Sequence, residues 1–164
     1  MKINLNLVFY AVLAAMPAIF PFSSSAGEER DFDTSYCSIT YPDTKTLGDF
    51  FFRIGGRRFN FEDDTALARS RADRIIDRVM AILGMYPKNF KVRVRLYSEY
   101  SLGSIASYDS KTDVVTVYAN KVTDGVFAHE VAHAVICKYF HPNPPGKAQE
   151  ILTQYVDKHL WDDY

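Results

Sequence analysis

The residues best equipped for chemistry are His129, Glu130 and His133, in the run Ala128-His129-Glu130-Val131-Ala132-His133-Ala134-Val135. Histidines four apart on an α-helix share one face, about 6 Å apart along the axis. Two imidazole nitrogens so placed can reach one divalent ion, of which Zn²⁺ is the commonest for this spacing. Glu130 stands between them in sequence and is poorly aimed to join them as a ligand. Its carboxylate is well placed to take a proton from a water whose pKa the ion lowers to about 7. The competing reading is a core helix whose histidines are merely hydrogen-bonded.

The helix that must carry this run has the pattern for burial on its other sides. Val126, Phe127, Ala128, Val131, Ala132, Val135 and Ile136 recur at helical spacing. Asp124 is the expected N-cap, Gly125 suits a tight entry, and no proline intervenes before Pro142. A hydrolytic zinc site needs three protein ligands and an open position. Four residues compete for the third place: Glu150, on a later helix reached through the rigid break His141-Pro142-Asn143-Pro144-Pro145-Gly146, and His141, Asp157 and His159. Glu150 is favoured. Gln154 and Asp157 follow it on the same stripe, where they could orient a histidine.

At 164 residues, 48% hydrophobic and 15% aromatic, the chain has the material for one domain with a packed core. A formal net charge of −1 gives no electrostatic basis for binding nucleic acid or an anionic membrane surface. Met1-Lys2, the apolar stretch Ile3 to Phe20 and the small residues Ser24-Ser25-Ala26 read as an export signal, residues 1–26, cleaved after Ala26. The mature chain is then expected to be periplasmic or secreted, with no stable membrane insertion. In that setting the two cysteines, Cys37 and Cys137, are expected to form a disulfide. Weaker readings are two free buried thiols, or Cys37 approaching the metal.

Residues 27–61 are expected to be irregular apart from a hairpin. Phe50-Phe51-Phe52-Arg53-Ile54 and Arg57-Arg58-Phe59-Asn60-Phe61 flank Gly55-Gly56 as two β-prone runs around a tight turn. This segment belongs either to the mature domain or to a removable pro-segment. Residues 62–164 hold the rest. Asp63-Asp64-Thr65 opens a long helix with Ala68, Ala72, Ile75, Ile76, Val79, Met80 and Leu83 on its apolar face and a charged, solvated face opposite; Gly84 ends it. Val92, Val94 and Leu96 alternate with basic residues, marking a half-buried strand. Ile105 to Tyr108 and Val114 to Ala119 read as a hairpin around Asp109-Ser110-Lys111-Thr112. Lys147 to Leu160 reads as the last helix, with Ala148, Ile151, Leu152, Tyr155 and His159 on one side. The fold class is α+β, with a small, mainly antiparallel sheet.

The order of these parts resembles the zincin metallopeptidases. Within them it is similar to compact glutamate-zincins, which have a charged helix, a small sheet, His129-Glu130-Val131-Ala132-His133 on a helix, then Glu150 on the next. The resemblance runs from about Asp63 to Leu160, and its specific part is the histidine motif. Tyr139, six residues beyond His133, stands where a metzincin has its third histidine. What the resemblance implies is Zn²⁺ held by His129, His133 and Glu150, with Glu130 as general base and acid in hydrolysis of a peptide or protein substrate. Tyr108 and Tyr155 are candidates for steadying the oxyanion. If the strand Val114 to Ala119 is an edge, a substrate could add to it as a further strand. The alternatives are an exported module that binds zinc or a partner without catalysis, and an enzyme kept latent by residues 27–61 or by the tail Trp161-Asp162-Asp163-Tyr164.

Overall fold

The computed structural model describes residues 29–55, 64–100 and 103–162. The expected signal, residues 1–26, and the second arm of the expected Gly-Gly hairpin, residues 57–61, lie outside them. Among the described residues are five strands, β1 (Arg30–Asp33), β2 (Cys37–Tyr41), β3 (Val92–Tyr97), β4 (Ala106–Asp109) and β5 (Val114–Tyr118). There are four helices, α1 (Thr44–Gly55), α2 (Thr65–Leu83), α3 (Asp124–Tyr139) and α4 (Gly146–His159). The architecture is α+β, with one mixed sheet in the order β1-β2-β3-β5-β4.

The sheet is not mainly antiparallel. β2–β3 and β3–β5 are parallel, while β1–β2 and β4–β5 are antiparallel. The chain passes from β2 to β3 through α1 and α2, and a helical crossover returns the next strand in the same direction. On β3, Val92, Val94 and Leu96 are buried and the residues between them exposed. One face of the sheet therefore carries the helices and the other meets solvent. β5 lies inside the sheet, between β3 and β4, so the exposed edge on that side is β4.

The segment expected to be irregular supplies β1, β2 and α1, and the expected first hairpin arm is helical. Leu47, Phe50, Phe51 and Ile54 fall on one helical face and are all fully buried, while Phe52 is exposed. That period of three to four outweighs the β-propensity of the phenylalanine run. Asp43 starts the helix, accepting from the Thr46 amide at 2.8 Å and the Thr46 hydroxyl at 2.9 Å. Phe50 packs edge-on against Phe127 of α3, with centroids 5.3 Å apart, so residues 30–55 share the core of the helix that bears the motif.

Asp64 caps α2 by accepting from the Leu67 amide at 2.8 Å. Gly84 closes it at φ +63°, where a side chain would be strained. The charged face of α2 is less solvated than its pattern suggests, because several of its charges bind neighbouring backbone. Arg69 donates to the Asp33 carbonyl at 2.9 Å and Arg71 to the Ile54 carbonyl at 2.8 Å. Arg78 donates to the carbonyls of Leu160 and His159, each at 3.3 Å. Asp73 accepts from the Ser35 and Tyr36 amides at 3.1 and 3.2 Å. α2 thus ties β1, α1 and α4 together through side chains that simple amphipathic reading assigns to water.

Candidate metal centre

α3 begins at Asp124 with Thr123, not Asp124, as its cap. Thr123 is extended, and its hydroxyl accepts from the Val126 amide at 3.3 Å. Asp124 becomes the first helical residue, where its carboxylate still complements the helix dipole. Phe127, Ala128, Val131, Ala132, Ala134, Val135 and Ile136 are fully buried. The stripe holding His129, Glu130 and His133 is only partly covered, so those side chains reach open space from a rigid base. The two imidazole rings lie 5.1 Å apart between centroids.

α4 returns antiparallel in sequence order after the proline-rich break and packs through Leu152, Thr153, Val156 and Leu160. Ile151 and Tyr155, expected on the inner side, are exposed. The apolar residues Ile151 and Tyr155 suggest one helical phase and Val156 and Leu160 another, and burial against α2 and α3 selects the second. In that phase Glu150 faces the histidines. Its Oε1 is 3.3 Å from His133 Nε2 and its Oε2 is 3.8 Å from His129 Nε2. Ligand atoms of His129, His133 and Glu150 all lie within 4.8 Å of one another. A tetrahedral ion with bonds of about 2.1 Å sets its donors about 3.4 Å apart, close to this arrangement.

Hydrogen bonding indicates what the group could hold. His129 Nδ1 is 3.0 Å from Asp157 Oδ2. An ionised carboxylate only accepts, so Nδ1 is the donor, and in the neutral ring Nε2 carries a bare lone pair. That lone pair points toward Glu150, another acceptor. Acceptors facing each other need a cation between them. A proton can bridge one such pair, whereas one metal ion satisfies His129, His133 and Glu150 together. The donor set, two nitrogens and one oxygen, could therefore hold a metal ion.

Burial pushes the Glu130 carboxyl above its ordinary value, while His129, His133 and the Tyr108 backbone pull it back and Glu150 adds to the rise. Glu130, His129 and Asp157 share the wall of a cleft of about 660 Å³ with Tyr100, Ile105 and Val126. Across α3, a second cleft of about 490 Å³ is bounded by Tyr108, Asp113, Cys137, Lys138 and His141.

The other sequence candidates are placed elsewhere. His141 is exposed in the second cleft and His159 donates from Nδ1 to the Tyr155 carbonyl at 2.7 Å; neither joins the ligand group. Asp157 supports His129 instead of ligating. Tyr108 gives its hydroxyl to Asp113 at 3.1 Å, and burial followed by Asp113 raises its phenol well above the ordinary value. The Tyr155 ring stacks on His159 at 4.0 Å. Neither tyrosine is delivered to the ligand group. Gln154 is exposed, and the glutamine at the site is Gln149, whose Oε1 is 3.3 Å from His133 Nδ1. The sequence signal for it is its position directly before Glu150. Tyr100, also unanticipated, sits at the cleft with its hydroxyl donating to the Gly103 carbonyl at 2.6 Å.

The expected disulfide is absent. Cys37 and Cys137 are both free and buried. Cys37 lies at the start of β2, 3.2 Å from the Thr34 hydroxyl, and Cys137 lies near the end of α3, 3.6 Å from Gln149 Oε1. Each thiol is built into its own element and finds a local partner there.

Comparison with protein-family models, with curated proteins and with solved structures finds no match for this chain.

Proposed function

We propose that this protein is an exported, zinc-dependent hydrolase of peptide bonds, a compact zincin of the glutamate-zincin type. The observation that carries the reading is the convergence of His129, His133 and Glu150 beside Glu130, on the wall of an open cleft. His129 Nε2, His133 Nε2 and a Glu150 oxygen would hold the ion. When bound, it would supply Lewis acidity, acidifying a water and polarising a carbonyl.

The chain's own residues do the rest. Asp157 fixes the His129 ring. Glu130, partly buried and raised in pKa, takes the proton from the attacking water and returns it to the leaving nitrogen. A carboxyl shifted upward is a better proton acceptor than an exposed one. The cleft alongside has the size and mixed lining to receive a peptide, with Ile105 and Val126 offering apolar contact.

The deciding experiment pairs metal analysis of the purified chain with cleavage of a peptide library by wild type and Glu130→Gln. One zinc per chain is expected in both proteins, with hydrolysis in wild type alone. Hydrolysis that survives Glu130→Gln removes the proposed base. Zinc without hydrolysis in the wild type leaves an exported zinc-binding module of this architecture.

A further inference from the structure

One carbonyl decides how the Gln149 amide is turned. Gln149 Nε2 is 2.8 Å from the Pro144 carbonyl oxygen, which can only accept, so the NH₂ end points there. The oxygen end then faces α3, 3.3 Å from His133 Nδ1 and 3.6 Å from Cys137 Sγ. An amide oxygen only accepts, and it has two lone pairs. Both α3 groups therefore donate to it, and His133 holds a proton on Nδ1. In the neutral ring this leaves Nε2 bare, 3.3 Å from Glu150 Oε1.

We propose that Gln149 is a positioning residue for the metal centre: clamped by the Pro144 carbonyl, its amide oxygen selects the Nδ1–H tautomer of His133 and so keeps Nε2 open to the ion. This rests on reading His129, His133 and Glu150 as ligands. The local sequence explains the clamp. Pro144 and Pro145 lead into α4, whose first turn has no side-chain cap. The Gln149 side chain folds back to the Pro144 carbonyl from within the same helix end. Gln149 and Glu150 are neighbours, so one turn of α4 delivers both the ligand and the group that prepares its partner histidine.

The two histidines are supported differently. His129 leans on the carboxylate of Asp157, His133 on a neutral amide. Glu130, Glu150 and Asp157 already bring three carboxylates to this place. A fourth at position 149 would add repulsion, whereas an amide fixes the ring without charge. Sharing the oxygen with Cys137 costs little, since a thiol is a weak donor.

The test reads the tautomer directly in metal-free protein. Two-bond ¹H–¹⁵N correlation spectra, recorded above the imidazole titration, show which ring nitrogen of His133 is protonated. Wild type is expected to show Nδ1–H. Gln149→Met keeps length and removes the acceptor, so it should move His133 toward Nε2–H and weaken zinc binding about 10- to 100-fold in chelator competition. Gln149→Glu keeps an acceptor and should retain Nδ1–H. An Nε2–H ring in wild type, or an unchanged tautomer in Gln149→Met, overturns the proposal. If Gln149→Met does not fold, the wild-type and Gln149→Glu spectra still decide, and loss of Nδ1–H in Gln149→Glu counts against it. Failure of wild type to bind zinc would instead sink the ligand reading, which the metal-free spectra do not depend on.

Discussion

Asp157 of α4 reaches His129 of α3 through a 3.0 Å contact from Oδ2 to Nδ1, two helical turns beyond Glu150. One helix therefore presents both a candidate ligand and the group that orients another. Removing the carboxylate frees the ring to rotate and to change tautomer. Asp157→Ala is expected to weaken zinc binding about 10- to 100-fold, and Asp157→Asn less, because its amide oxygen can still accept. Chelator competition measures both. Wild-type affinity in Asp157→Ala would show that the contact does not orient the ring.

The cleft beside the candidate ligands makes a prediction about preference. Ile105 and Val126 form apolar wall near Glu130, with Tyr100 at the rim. A substrate side chain next to the scissile bond should be apolar and of moderate to large size. Val126→Trp fills part of that space while leaving the ligands alone. Its kcat/KM for bulky apolar residues should fall at least about tenfold, the scale of a misfitted methylene or two. Small residues at the same position should be little affected, and zinc content should not change. A uniform loss across all peptides would place the specificity contact elsewhere.

Much of the site was legible in sequence because its determinants are local. His129, Glu130 and His133 are fixed relative to one another by a single helix, and no tertiary knowledge is needed to place them on one face. Asp157, seven residues after Glu150, follows by the same logic. Gln149 was hidden because the rotational phase of α4 depends on what it packs against: Ile151 and Tyr155 advertise a buried face that burial of Thr153 and Val156 overrides. The parallel pairings of β3 are hidden for a related reason, since they depend on the path between strands: α1 and α2 carry the chain from β2 to β3, and β4, at the sheet edge, turns it back so that β5 runs beside β3 in the same direction. The first arm of the expected hairpin is helical because Leu47, placed ahead of the phenylalanine run, completes a helical period that the run alone does not show. The expectation of a disulfide rests on compartment and count, neither of which carries geometry.

Thiol chemistry offers a check on the buried cysteines. Denatured but unreduced protein should yield two reactive thiols, and native protein should label slowly at both. A single thiol or none would restore the bridge. Burial raises the Cys37 thiol to about 12 from an ordinary value of 9.0. The unfolded chain then loses this proton first as pH rises, so the thiol's contribution to stability is complete below about pH 9 and is lost between pH 9 and 12. The slope is at most about 1.4 kcal/mol per pH unit. Cys37→Ala should lack it, and denaturant midpoints of the two proteins across that range measure the difference. Parallel pH profiles would show that Cys37 is not held neutral by the fold.

Arg78 links the long helix to α4, which carries the candidate ligand Glu150. Its Nε and Nη2 donate to the carbonyls of Leu160, which follows α4, and of His159, the last residue of α4, where a cation also complements the helix dipole. Both bonds are charge-assisted, and the guanidinium is partly buried. Arg78→Met keeps most of the apolar stem and removes the donors. It is expected to cost about 2 kcal/mol, and to lower Tm by roughly 6 °C for a domain of this size. Arg78→Lys restores the charge but not the paired donors and should fall between. Because α4 also carries Gln149, Glu150 and Asp157, loosening its end should weaken zinc binding as well, and zinc should then raise the Tm of Arg78→Met less than that of wild type. Melting curves with and without zinc separate two outcomes. A Tm difference that zinc leaves unchanged would mean that α4 contributes to the core without responding to the candidate metal centre.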